Sequence, residues 1–191
     1  MKYLSVFLLF CCPLLPQDLQ NRTVVKTPLD LGDHWYVVFW SITNLKAESP
    51  NNTNIFPGVG YRGKTWWVEG MAQKQWNGSG GLYSIDIRFR KQLTQRLSLY
   101  VEPSVILTNP SFYEFVILES RVWKKLSVGG ETENVHRLNK QLIAAGPRVS
   151  YSLGQRWGCE FAASFAYRFS PTGKDEARLY LNITRRVRLR P

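Results

Sequence analysis

Alternation of apolar and polar residues runs through most of the chain and is clearest near its C-terminus. There Ala177, Leu179, Leu181, Ile183, Val187 and Leu189 alternate with Arg178, Tyr180, Asn182, Thr184, Arg186 and Arg188. In the run before it, Trp157, Cys159, Phe161, Ala163, Phe165, Tyr167 and Phe169 share one face, and Gly158, Glu160, Ala162, Ser164, Ala166 and Arg168 the other. Tyr83, Ile85, Ile87 and Phe89 oppose Ser84, Asp86, Arg88 and Arg90, and Leu97, Leu99, Val101, Pro103 and Val105 oppose Ser98, Tyr100, Glu102 and Ser104. A period of two marks β-strands with unlike faces, and no long helical period follows residue 17.

Short breaks separate these runs at Gly63-Lys64, Lys91 to Arg96, Lys124-Lys125 and Gly154-Gln155. They alternate with richer breaks at Leu45 to Asn54, Asn77 to Gly81, Thr108 to Ser111, Arg137 to Lys140 and Ser170 to Asp175. The pattern predicts strands near 35–42, 55–62, 65–76, 82–90, 97–107, 112–123, 126–136, 142–153, 156–169 and 177–189. Most are long for a soluble sheet and suit a tilted crossing of a bilayer. The expected fold is all-β: an antiparallel up-and-down β-barrel of about 8–10 strands, of membrane type, with both termini and the short turns at one end.

Residues 1–17 stand apart. Lys2 precedes the apolar run Leu4 to Cys12, which is too short to span a bilayer as a helix and has the length of a signal peptide's hydrophobic region. Leu9, three residues before Cys12, also fits a lipoprotein signal, although Cys11 stands where a small residue is usual. The expected organisation is a signal peptide at 1–17, an N-terminal segment at 18–34 and a barrel domain at 35–191. Beyond the signal only Cys159 remains, so no internal disulfide staples the fold.

Alternation alone leaves open which face is inside. Three features turn the apolar face outward, into lipid. The polar faces mix charge with small residues (Ala144, Gly146, Arg148, Ser150, Ser152), as a crowded lumen requires. The strand-face cations are arginines, with Lys74 the exception, and acids including Glu133 share their strands. Arginine's planar fork suits buried ion pairs, and unpaired buried charge is costly. The expected lumen network is Asp86, Arg88, Glu102, Glu119, Arg121, Glu131, Arg148, Glu160, Arg168 and Arg178. Aromatic residues gather at strand ends as two interfacial belts would: Trp123 and Trp157 beside short turns, Trp76, Tyr113, Tyr167 and Phe169 near the richer loops. A turn at Leu153-Gly154-Gln155 would set Arg148 opposite Glu160, with Glu131 beside them.

The formal charge of +11 raises nucleic acid as a partner. The positions of the cations point elsewhere. Arg62, Lys64, Arg90, Lys91, Arg96, Lys124, Lys125, Arg156, Arg185, Arg186 and Arg190 collect at the short turns and the C-terminal strand end, as a basic rim on the periplasmic side. The expected partners are the lipid bilayer, with anionic headgroups or an acidic periplasmic protein at the rim, and no nucleic acid.

The C-terminus resembles the assembly signal of bacterial outer-membrane β-barrels in Asn182, Val187 and Leu189. Thr184 stands where glycine is usual, and Arg190-Pro191 where an aromatic residue closes the chain. The resemblance implies an outer-membrane location and delivery to the barrel-assembly machinery through the C-terminal strand, but no activity. Gly32-Asp33-His34-Trp35-Tyr36 resembles the Gly-x-Trp opening of lipocalins with one residue too many, which implies a soluble barrel for an apolar ligand as the alternative.

Candidate chemistry is sparse. His136 has Glu133 nearby but no serine within the next two residues, so a lipid hydrolase or acyltransferase is the third reading. No Cys/His cluster or phosphate loop is present, and Gly58-Val59-Gly60 reads as strand glycines facing a crowded interior. No cofactor is expected. The expected function is non-enzymatic: a structural, adhesion or narrow-channel barrel whose lumen is filled by paired charge.

Overall fold

The computed structural model describes residues 18–46, 52–76, 83–137 and 140–188. Their strands are β1 (Asp18–Asp30), β2 (Trp35–Lys46), β3 (Asn52–Arg62), β4 (Trp66–Trp76), β5 (Tyr83–Gln92) and β6 (Leu97–Ile106), then β7 (Ser111–Arg121), β8 (Leu126–Arg137), β9 (Lys140–Arg156), β10 (Cys159–Arg168) and β11 (Glu176–Arg185). A two-residue β12 (Val187–Arg188) continues β11 past Arg186. Each strand from β1 to β11 pairs antiparallel with the next, and β1 pairs in parallel with β11, closing an eleven-stranded barrel. Among the described residues there is no helix.

The barrel thus has one strand more than the hydrophobic pattern predicts. The segment 18–34, expected to precede the barrel, supplies a wall strand and its turn. It escapes a hydropathy reading because β1's outward residues mix Leu19 and Val25 with Asn21, Thr23 and Thr27, while Gln20, Arg22, Val24 and Lys26 face inward. The odd count has a geometric consequence. Ten reversals bring β11 into the direction of β1, so the seam is parallel and Asp18 and Arg188 lie at opposite ends. The expectation of both termini at one end fails for that reason. One end carries turns 31–34, 63–65, 93–96, 122–125 and 157–158; the other carries Asp18, the connections 107–110 and 169–175, and the adjoining ends of β2 and β3, β4 and β5, and β8 and β9.

Three prolines fall where a ladder is interrupted, as a residue without an N–H must. Pro28 lies between the Lys26–Thr184 and Leu29–Val187 pairings. Pro57 lies between Ile55–Lys74 and Gly58–Met71, and Pro103 between the β5–β6 pairings of Val101 and Ser104.

The β9–β10 hairpin turns at Trp157-Gly158, whose φ values of 51° and 71° are those of a two-residue primed turn. Gly154 (φ 100°) sits instead in a bulge that shifts the register between Phe161 and Ala162. Arg148 therefore pairs with Ala166, and the expected Arg148–Glu160 apposition does not form.

The buried apolar cluster is small: Tyr36, Val38, Phe56 and Met71, with Trp40 and Ile42 against it. Gly58 and Gly60 make room for it. A Cβ at Gly60 would lie 2.3 Å from the Tyr36 ring, and one at Gly58 2.3 Å from the Met71 side chain.

Candidate functional site: a lumen of paired charge

The sheet carries charge on its inner face and apolar side chains on its outer one. Inside, Arg88 and Glu69 are 0% exposed, Asp86 and Glu131 1%, and Arg168 2%. Outside, Ile85, Ile87, Val59 and Leu179 are 49–56% exposed. Buried charge of this kind persists only when paired, and two clusters show how it is paired.

The first cluster spans β1 to β6 and combines ion pairs with aromatic rings. Glu69 accepts hydrogen bonds from Tyr36 Oη (2.7 Å) and Trp40 Nε1 (2.8 Å), and its Oε1 lies 2.6 Å from Lys26 Nζ. The same ammonium sits 3.9 Å from the Trp67 ring centre and 4.7 Å from that of Trp40, a cation–π cage closed by a carboxylate. Arg88 lies between the Phe56 and Trp40 rings (4.2 and 4.4 Å) and reaches Glu102 (3.2 Å) and Asp86 (3.4 Å). Tyr100 donates to Glu102, and Ser84 to Asp86.

The second cluster spans β7 to β11, where small residues leave the charges to meet directly. Arg148 donates to Glu131 (2.6 Å) and Glu119 (2.9 Å), with its guanidinium 4.5 Å from the Tyr180 ring centre. Tyr180 Oη donates to Glu131 from three strands away (2.9 Å). Arg168 pairs with Glu133, Glu176 and Glu131, and Arg178 with Glu133 and Glu176. Alternation of guanidinium and carboxylate lets each charge serve two neighbours.

Eight of the ten residues expected in the network lie in these clusters. Arg121 and Glu160 do not: both lie nearer the short-turn end, where Glu160 accepts from Gln155 (3.1 Å). Lys26 and Glu69 escaped the sequence reading, the first because β1 was not recognised. Glu69 shares its inward face with Trp67 and Met71, which hides the polar alternation.

Of the expected belt residues, Trp123 and Trp157 project at the short-turn end, 73% and 82% exposed. On the outer wall at that end His34, Tyr61, Trp66 and Phe89 form a row of ring contacts, with Trp35 against Tyr61. At the other end Tyr167 meets Phe169 edge to face. Tyr113 departs from its expected place. It shares a face with Ser111 and Phe115, points into the lumen and donates to Glu133 (3.1 Å). The Trp76 side chain lies outside the described residues. His136 packs near Phe112, with ring centres 6.1 Å apart.

A cavity of about 1250 Å³ occupies the lumen and opens among the short turns. Of the expected basic rim, Arg62, Lys64, Arg90, Lys124, Lys125 and Arg186 line it, joined by Arg121. Lys91, Arg96, Arg156 and Arg185 do not, and Arg190 lies outside the described residues. Among the described residues no group of acids, histidines and cysteines is arranged to hold a metal.

Comparison of the chain with protein-family models, with curated proteins and with solved structures finds no match in any of the three.

Proposed function

We propose that this chain is an exported, non-enzymatic β-barrel of the bacterial outer membrane, of structural, adhesion or narrow-channel type. The observation that carries this reading is the inversion of the sheet: fully buried charge inside, half-exposed isoleucine, leucine and valine outside. Water penalises such an outer face, whereas hydrocarbon removes that penalty. Residues 1–17 serve as the signal peptide, and the C-terminal strand presents the chain to the barrel-assembly machinery. The exposed Trp123 and Trp157 suit one membrane interface. The odd strand count departs from the even numbers usual in bacterial outer-membrane barrels, and the parallel β1–β11 seam accommodates it.

Fractionation and gel mobility test the reading. The protein is expected to stay with membranes through an alkaline wash, to need detergent for extraction, and to migrate differently before and after boiling. A folded barrel that remains monodisperse in detergent-free buffer would contradict it and favour the soluble, ligand-binding alternative. Lipid hydrolysis abolished by His136→Ala would contradict the non-enzymatic assignment. Orientation follows from the same experiment on intact cells. Tags at Gly173-Lys174 and just before Asp18 are expected at the surface, and a tag at Lys124-Lys125 only after permeabilisation; surface labelling at Lys124-Lys125 would reverse the orientation.

A further inference from the structure

The short-turn mouth of the lumen carries cations that the two buried clusters do not use. Lys64, Arg90, Arg121, Lys124, Lys125 and Arg186 line the same cavity, and none of them makes an ion pair among the described residues. Of the nearby acids, two are neutralised by other cations, and among the described residues a single carboxylate is left facing six cations. Glu119 binds Arg148 and Asp30 binds Arg62, while Glu160 accepts from the neutral Gln155 and lines the same cavity. Uncompensated positive charge converging from β5, β7 and the 63–65 and 122–125 turns repels itself unless an anion fills the space between, and low-dielectric walls focus its field into the mouth.

We propose that this mouth binds a small, multiply charged phosphate-bearing anion that enters the lumen from the short-turn side. The direction in which the cations face selects a ligand free in solution over a lipid headgroup. All six line the lumen, whereas the exterior at this end carries a separate set of cations, Lys91, Arg156 and Arg185, which do not line the cavity and stand among Leu31, Trp35, Leu93, Val122, Trp123 and Trp157, each 45–82% exposed. A headgroup beside that wall meets those outer cations, and reaches the six lumenal ones only over the rim. The cavity is open and, at about 1250 Å³, large enough for a hydrated polyphosphate, and ammonium and guanidinium groups are the donors such an anion takes.

The test is calorimetric titration of the full chain, folded in zwitterionic detergent, with inorganic tripolyphosphate. Saturable binding is expected, weakening steeply as salt rises from roughly 50 to 200 mM. The triple variant Arg121→Gln/Lys124→Gln/Lys125→Gln should lose affinity by on the order of tenfold or more. Lys64→Gln/Arg186→Gln, on different elements, gives an independent loss should the triple variant fail to fold. Arg156→Gln/Arg185→Gln, which removes cations that do not line the cavity, should bind as the unaltered chain does. Absence of binding to the folded protein, or equal losses from the lumenal and non-lumenal variants, would overturn the proposal. So would binding confined to vesicles containing phosphatidylglycerol, which would assign the cations to lipid headgroups. Because the cavity is a property of the closed barrel, the outcome is independent of whether the outer wall meets lipid.

Discussion

The inner and outer faces of this sheet are built from the same strands, one residue apart, and obey opposite rules. On β5, Asp86 and Arg88 are 1% and 0% exposed, while their neighbours Ile85 and Ile87 are 54% and 52% exposed. Inside, what matters is whether each charge finds its partner, because a stranded buried charge costs several kcal/mol. Outside, what matters is the medium, because an apolar face gains nothing from its neighbours if water covers it. The inner face is therefore sensitive to the loss of single atoms, and the outer face to a change in polarity.

The largest effect is expected from Glu131→Ala, which removes the shared acceptor of Arg148, Arg168 and Tyr180. The loss should be about 3–5 kcal/mol, read as a lower urea midpoint for the folded form in detergent. A near-neutral result would break the claim that pairing holds the inner face. Next is Ile87→Arg, on the outer face of the strand whose inner face carries Arg88. In a bilayer it should cost about 2–4 kcal/mol near the midplane, measured by folding into vesicles. Little effect would place water on that face. Glu69→Gln should cost about 2 kcal/mol, because Tyr36 and Trp40 donate to different carboxylate oxygens, of which the amide keeps one as an acceptor, and Lys26 keeps only its indole rings. An effect as large as that of Glu131→Ala would show the two clusters to be equally dependent on charge. The smallest change, within about 0.5 kcal/mol, is expected from Arg156→Gln, a side chain 5.6 Å from the Trp157 ring centre beyond both clusters.

Most of the wall was legible in the chain because a two-faced strand writes its faces in alternation. The β5, β6, β10 and β11 runs name their inward residues correctly. β1 was illegible because its outer face carries Asn21, Thr23 and Thr27, so hydropathy does not alternate along it, and the parallel seam and the position of Asp18 went unseen with it. Register failed at β9–β10 because Gly154 looks like a turn residue, whereas it absorbs a bulge and the exposed Trp157-Gly158 pair makes the reversal. The residue types of the lumen were readable, but the partners were not. Lys26 meets Glu69, and Tyr180 meets Glu131, only because the sheet curves and brings strands three apart within side-chain reach. Tyr113 was misplaced by its position at a strand end, where parity with Ser111 and Phe115 decides its direction.

The inside-out arrangement is tested most directly by asking which medium touches each face. With Cys11, Cys12 and Cys159 replaced by Ser, an environment-sensitive label is placed at Ile87→Cys on the outer wall or at Ser152→Cys in the cavity, in protein folded into vesicles. Brominated acyl chains are expected to quench the label at Ile87→Cys and spare that at Ser152→Cys, while aqueous iodide quenches the second and spares the first. Iodide quenching at Ile87→Cys with no effect of brominated lipid would contradict a lipid-facing outer wall.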